Sequence, residues 1–263
     1  MWRSPDRTRG IIALPSGRSV LQPWLQRLLL RSALTEQEQC ALLELPVTMA
    51  QVDVNRDFVK LGQVTDHACL VVEGVVGRFG QTRKGDRQIT ALYLPGDMAD
   101  LHSVVLPRTD WALQALAATT LARIPHDALS KAAERSPAIA RAFWRDGVVD
   151  ASIIARWHVS LGRRDAKERM AHLLCELAAR YALQAPDTPD EFDLLITQVQ
   201  LADILGLTSV HVNRTIGTLR KDGLIMFSGR RVRIIDRKAL EAIAGFERSY
   251  LHLEHHDAAR HQG

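Results

Sequence analysis

The 263-residue chain has no apolar run near the roughly 20 residues that a membrane-spanning helix needs. Its longest N-terminal candidate, Leu28-Leu29-Leu30, is closed off by Arg27 and Arg31. Ile11 to Leu14 stops at Pro15 and is too short for the core of an export signal, so no export is expected. Arg3, Arg7, Arg9 and Arg18 give the start an organelle-transit flavour, but a flexible N-terminus over 1–18 is the expectation. Cysteine is scarce: Cys40, Cys69 and Cys175 are odd in number, far apart and form no CxxC. That excludes a disulfide framework and a cysteine-rich zinc or iron–sulfur site, and it fits a reducing cytoplasm. GxSxG, HExxH, P-loop and dinucleotide fingerprints are all missing. With 46% hydrophobic and 24% charged residues, the composition is that of an ordinary globular protein with enough chain for two domains.

Net charge is also low, at +4, but it is concentrated. Residues 197–238 hold eight Lys and Arg (Arg214, Arg220, Lys221, Arg230, Arg231, Arg233, Arg237, Lys238) against Asp203, Asp222 and Asp236. The remainder of the chain is therefore close to neutral. Such focusing is the electrostatic footprint of a nucleic-acid module.

The hydrophobic period changes along the chain. Leu21, Leu25, Leu28 and Leu29 have helical spacing, and Thr35 followed by Glu38 predicts a capped second helix over 36–45. Residues 47–126 alternate between short β-rich runs and Gly-containing turns, which predicts an antiparallel barrel or sandwich. Ser136-Pro137 then opens a long helix as cap and first residue. Trp144, Val148, Ala151, Ala155 and His158 follow heptad spacing, which suits a seam between two copies of the chain. Phe143, Ile154, Trp157 and Leu161 form a second stripe that could pack on the chain's own barrel, and spacing alone does not choose between them. Gly162 is expected as a hinge before a helix over 165–181 with Met170, Leu173, Leu174 and Leu177 buried. A Pro-containing break at 185–190 separates this from two short helices, 198–205 and 208–221, a hairpin at 224–235 and a last helix after Asp236.

The segment from Thr197 to Arg220 reads as a helix-turn-helix. Ala202 is small where two helices cross, and Gly206 permits a left-handed turn. Leu201, Ile204, Leu207, Val212, Ile216 and Leu219 hold the pair together. Ser209, His211, Asn213, Arg214, Thr218 and Lys221 are left to donate or accept hydrogen bonds. A helix fits the major groove, where Arg pairs with guanine and Asn with adenine. The hairpin with Arg230 and Arg231 at its tip reads as a wing on phosphates.

The helix-turn-helix and wing resemble those of the Crp/Fnr (cyclic-AMP receptor/Fnr) superfamily of bacterial transcription regulators, and the order of elements resembles it along nearly the whole chain. The resemblance implies an α+β fold: an N-terminal cyclic-nucleotide-binding-like β-roll, a long dimerisation helix and a C-terminal winged helix-turn-helix. It implies N-terminal helices and β-roll over 19–136, dimerisation and connecting helices over 137–184, a DNA-binding domain over 185–250, and a polar tail over 251–263. The implied protein is a cytoplasmic homodimer on double-stranded DNA, with RNA polymerase and a small-molecule effector as further partners. Carried over residue by residue, Thr208, Ser209, Val210, His211, Asn213 and Arg214 fall on the base-reading stretch, and Thr197 and Gln198 on the phosphate-contacting start of the first helix. Where the family often has Glu, this chain has Val210, which cannot accept a hydrogen bond from the cytosine amino group.

The same resemblance suggests three signals to test. Cyclic-nucleotide members have an Arg-Ser pair for the phosphate, and its place falls here on Asp110-Trp111, where a carboxylate repels phosphate; Arg108 could substitute only if the loop shifts. Iron–sulfur members have clustered N-terminal cysteines, and before residue 60 this chain has only Cys40. A haem would need His67 or His102 as axial ligand. No cofactor or metal is therefore expected. Asp97, Asp100, His102, Arg108 and Asp110 remain as a possible effector site, weighed against plain solvated loop residues. His252, His255, His256 and His261 have spacing a metal could use, but in a tail the expectation is solvation. A metal-dependent enzyme or ligand-binding module on a cupin-like β-roll is the alternative, and it would need more ligands than His67 and His102.

Overall fold

The computed structural model describes residues 17–253. The expectations for residues 1–16 and for the tail histidines His255, His256 and His261 lie outside the described residues. The chain opens with α1 (Gly17–Leu29) and α2 (Glu36–Leu43). Leu21, Leu25 and Leu28 of α1 are buried as their spacing predicts. The Thr35 hydroxyl accepts from the Glu38 amide at 3.3 Å while the Glu38 carboxylate accepts from the Thr35 amide at 2.8 Å, the reciprocal cap expected from sequence.

Seven strands follow: β1 (Thr48–Val52), β2 (Asp57–Val59), β3 (His67–Glu73), β4 (Val76–Gln81), β5 (Arg87–Tyr93), β6 (Ala112–Ala115) and β7 (Thr119–Pro125). They form two antiparallel sheets, ordered β1-β7-β3 and β2-β6-β4-β5. β3, β4, β6 and β7 each hold four consecutive buried residues, so both of their faces are covered there and alternate residues enter different cores. On β3, Cys69 and Val71 face the roll interior, whereas Ala68 and Leu70 pack against the helical layer. On β5, Ala91 and Tyr93 face inward and Leu92 outward.

α3 (His126–Arg135) fills a stretch that the sequence reading leaves unassigned between Pro125 and Pro137. α4 (Pro137–Arg163) is capped by Ser136, whose hydroxyl accepts from the Ile139 amide at 3.2 Å. Gly162 is not the hinge: it lies inside the last turn of α4, and the break falls at Arg164, which is extended (φ −96°, ψ 148°). The reason is a cap. Asp165 takes the N-cap of α5 (Ala166–Tyr181) and exchanges two hydrogen bonds with Glu168, so the chain must leave helical geometry just before it.

β8 (Glu191–Asp193), α6 (Gln198–Leu205), α7 (Ser209–Lys221), β9 (Ile225–Ser228), β10 (Arg231–Ile234) and α8 (Arg237–Ala244) complete the fold. The short sheet runs β8-β10-β9, so the hairpin has a third strand that the Pro-rich break conceals. Met170, Leu173, Leu174 and Leu177 of α5 are buried and share one core with α6, α7 and α8. That core continues without interruption into the outer face of β4 and β5 through Phe79, Ile89 and Leu92. Among the described residues no helix is long and apolar enough to cross a membrane.

Candidate nucleic-acid interface

Local rules build the helix-turn-helix. The Thr197 hydroxyl accepts from the Gln200 amide at 3.2 Å, and the Gln200 side-chain oxygen accepts from the Thr197 amide at 2.7 Å, which starts α6. α6 ends at Gly206 in the left-handed region (φ 61°, ψ 42°), where a Cβ would come within 3.2 Å of Leu161. Thr208 then caps α7, accepting from the His211 amide at 3.2 Å. Val212, Thr215, Ile216 and Leu219 seat α7 against the core.

The opposite face of α7 is open. Val210, His211, Asn213, Arg214, Thr218 and Lys221 are exposed, and Ser209 is half-buried. The Thr218 hydroxyl is already donated to the Arg214 carbonyl at 3.1 Å, whereas the Asn213 amide and Arg214 guanidinium have no partner among the described residues. Thr197 and Gln198 are exposed at the start of α6, where free amides and the helix dipole favour an anion. In the wing, Gly229 and Arg230 form the two-residue turn between β9 and β10. Arg230 is exposed at its tip, but Arg231 is tied to Glu191 at 3.2 Å, and Arg233 also pairs with Glu191. The wing's cationic tip is therefore Arg230 before Arg231.

Three side chains that sequence reasoning missed fix this unit on the roll. From β5, Gln88 Nε2 donates to the carbonyls of Asp203 at 2.7 Å and Ile204 at 3.0 Å, the end of α6. From α5, Arg169 donates to the Leu205 carbonyl at 2.6 Å. Gln200 Nε2, at the other end of α6, donates to Asn55 Oδ1 and to the Leu116 carbonyl, both at 3.1 Å. In sequence Gln88 follows Asp86-Arg87 and Arg169 follows Lys167-Glu168, so both read as ordinary surface polar residues, and Gln200 signals only the cap that it forms with Thr197.

The five residues weighed as an effector site do not converge. Asp97 sits between Arg27 at 2.6 Å and Arg180 at 2.8 Å and accepts from the Leu94 amide; burial alone would raise its pKa, but the two guanidiniums hold it below the ordinary value. Asp100 is fully buried: Oδ1 accepts from the Cys69 amide at 2.6 Å, Oδ2 has no partner, and burial pushes its pKa up to about 7. His102 meets the Trp111 ring edge-on at 4.7 Å, and burial with nearby Arg78 lowers its pKa to about 4. Arg108 and Asp110 are exposed, Arg108 donating to the Gly62 carbonyl at 3.0 Å. The solvated-loop reading thus describes Arg108 and Asp110 but not Asp97 or Asp100. The interior holds this chain's own Arg78, 4.9 Å from the Trp111 ring and ion-paired at 3.1 Å to Asp150 of α4, which also accepts from the Tyr93 hydroxyl. Among the described residues, no group of three or more His, Cys, Asp or Glu side chains could hold a metal.

The proposed seam and its rival also separate. Trp144, Val148, Ala151, Ala155 and His158 are all exposed, Trp144 at 72% and Val148 at 61%. In the other stripe Trp157 is buried and donates to Glu176 at 2.8 Å, and Phe143 stacks on Trp24 at 5.6 Å.

Comparison with known proteins agrees with this geometry. Residues 168–243 match the family model of the Crp-like helix-turn-helix domain. The nitrogen fixation regulation protein FixK of Azorhizobium caulinodans is 32% identical over 182 residues, which span 69% of this chain and 73% of that one. The fumarate and nitrate reduction regulatory protein of Escherichia coli is 27% identical over 194 residues, 72% of this chain and 76% of that one. The solved structure of FixK2 from Bradyrhizobium japonicum is similar with a TM-score of 0.71 at 27% identity, covering 77% of this chain and 100% of that one. Capped α6, left-handed turn, open α7 and basic wing thus stand in a chain that belongs to the Crp/Fnr superfamily, the DNA-binding transcription regulators.

Proposed function

We propose that this regulator acts as a homodimer joined along α4, with the two copies of α7 presented to successive major grooves of one two-fold symmetric site. The exposed heptad stripe from Trp144 to His158 carries the reading. A single chain gains nothing by keeping a large tryptophan and a valine in water at seam spacing, whereas a two-fold axis along α4 buries each against its own copy. Ala151 and Ala155 leave room for close approach. An open groove of about 610 Å³ beside Trp144 and Val148, bounded by Leu30 and Leu253, extends the surface that a second copy covers.

On DNA, Ser209, Val210, His211, Asn213 and Arg214 read bases, Thr208, Thr218 and Lys221 support them, and Thr197, Gln198, Arg230 and Arg231 meet phosphates. The proposed division is a sensor-like part over 19–136, dimerisation and connecting helices over 137–184 and the DNA-binding part over 185–250, with α5 packed against the last. The protein works by binding rather than by catalysis, in the cytoplasm, with RNA polymerase as the partner a DNA-bound regulator meets. Any small-molecule effector in the roll has to displace the Arg78–Trp111 pair.

Sedimentation of wild type and Trp144→Glu tests the seam. Glutamate at 144 places like charges across the two-fold axis, so the expected result is a wild-type dimer and a folded monomeric variant. A wild-type monomer at micromolar concentration, or a variant that remains dimeric, overturns the assignment.

A further inference from the structure

The reading face of α7 contains one residue that hydrogen bonding does not explain. Val210 is 73% exposed in the first turn of α7, on a face otherwise polar. Val210, Asn213, Arg214 and Gly217 recur at i, i+3, i+4 and i+7, so they share one stripe. A Cβ added at Gly217 would meet nothing within 4 Å, so the stripe stays open along its length. The first turn of α7 has no acidic residue. The Thr215 hydroxyl is donated to the His211 carbonyl at 2.8 Å, as Thr218 is to Arg214, so neither is a free donor to bases.

The major groove offers one apolar group, the 5-methyl of thymine; cytosine at the same edge offers an amino donor that needs an acceptor. Valine is matched to the first and cannot satisfy the second. We infer that Val210 is a specificity-determining residue, packing its methyls on a thymine 5-methyl within two base pairs of the guanine that Arg214 contacts. This rests on α7 being the base-reading helix. The spacing follows from the helix: four residues rise about 6 Å, under two base steps of about 3.4 Å each. Desolvating both apolar groups favours thymine, and burying an unpaired cytosine amino group against valine disfavours cytosine.

The test starts from sites selected out of random DNA by the full-length protein, with and without cell extract. Each thymine of the half-site is then replaced singly by deoxyuridine, which removes only the methyl. Wild type should lose about four-fold in affinity at one thymine, the worth of one buried methyl group. Val210→Ala, an exposed substitution that leaves the fold intact, should bind thymine and deoxyuridine at that position alike. Val210→Glu should select cytosine there. A symmetric site whose affinity is indifferent to every deoxyuridine, or a Val210→Ala variant that keeps the four-fold loss, overturns the inference while the dimeric DNA reading stands. No enriched site under either condition refutes that reading and the inference with it.

Discussion

Asp100→Asn tests whether a buried carboxylic acid limits stability near neutral pH. Asp100 has one oxygen held by the Cys69 amide and one with no partner, and burial outweighs that bond to move its pKa from 3.8 to about 7. A raised folded-state pKa means that the folded protein holds its proton more tightly than the unfolded chain. The contribution to stability is therefore complete below about pH 4 and is lost as pH rises through 7. At 1.36 kcal/mol per pKa unit, the loss between pH 5 and pH 8 is about 2–3 kcal/mol. Asparagine keeps an oxygen for the Cys69 amide and does not titrate. Thermal melts of both proteins at the two pH values isolate the effect, because every other group titrates in both. The wild-type Tm should fall relative to the variant by on the order of 5–10 °C from pH 5 to pH 8. Cys69 does not interfere, since burial raises its thiol well above 9. Parallel Tm changes in the two proteins would refute the argument and mean that water reaches Oδ2.

Three further outcomes are expected. Arg214→Ala should cost about 1–3 kcal/mol of specific binding and relax one base position in a selection experiment; an unchanged site preference would remove Arg214 from base reading. Arg230→Ala should weaken all DNA sequences alike and shallow the log–log salt slope by about one, whereas Arg231→Ala, already tied to Glu191, should change the slope less; equal effects would show that the ion pair opens on DNA. Gln200→Leu removes both bonds from α6 to Asn55 and the Leu116 carbonyl, together with the acceptor for the Thr197 amide, and leaves the Leu116 carbonyl buried, so urea denaturation should register a loss of about 1–3 kcal/mol; no loss would show that water replaces all three bonds.

The parts legible in the sequence are those governed by neighbours in the chain. Thr35 with Glu38, Ser136 with Pro137, and the Gly206 turn each act within four residues, and each appears in the structure where its spacing places it. The helix over 126–135 offers little apolar period to read: Ala128, Leu129, Ala132 and Ala133 are its apolar residues, and only Leu129 is buried. Gly162 is the opposite case: glycine is tolerated in a helix, and the cap at Asp165 decides the break. β8 has only three residues and no period of its own; β10 recruits it. In sequence Asp97 and Asp100 are carboxylates in a loop-like stretch that also holds Gly96 and His102. Only tertiary packing reveals that one answers Arg27 and Arg180 and the other is fully buried with one oxygen unpartnered.

Long-range polar contacts are the least legible. α4 carries the proposed seam and α7 the reading face, and the chain passes between them through the extended Arg164. That residue donates through Nε to the Ala244 carbonyl at 2.9 Å, fixing the end of α4 to α8. Gln88 and Arg169 hold the carbonyl end of α6, and Gln200 holds its start. Turning α6 would break these hydrogen bonds, each worth about 1 kcal/mol net and more when a partner is left unsatisfied. Two reading helices must stand about 34 Å apart to enter successive major grooves. In the proposed dimer that separation depends on Gln88, Gln200, Arg164 and Arg169 as well as on the seam, and none of the four belongs to the open face of α7.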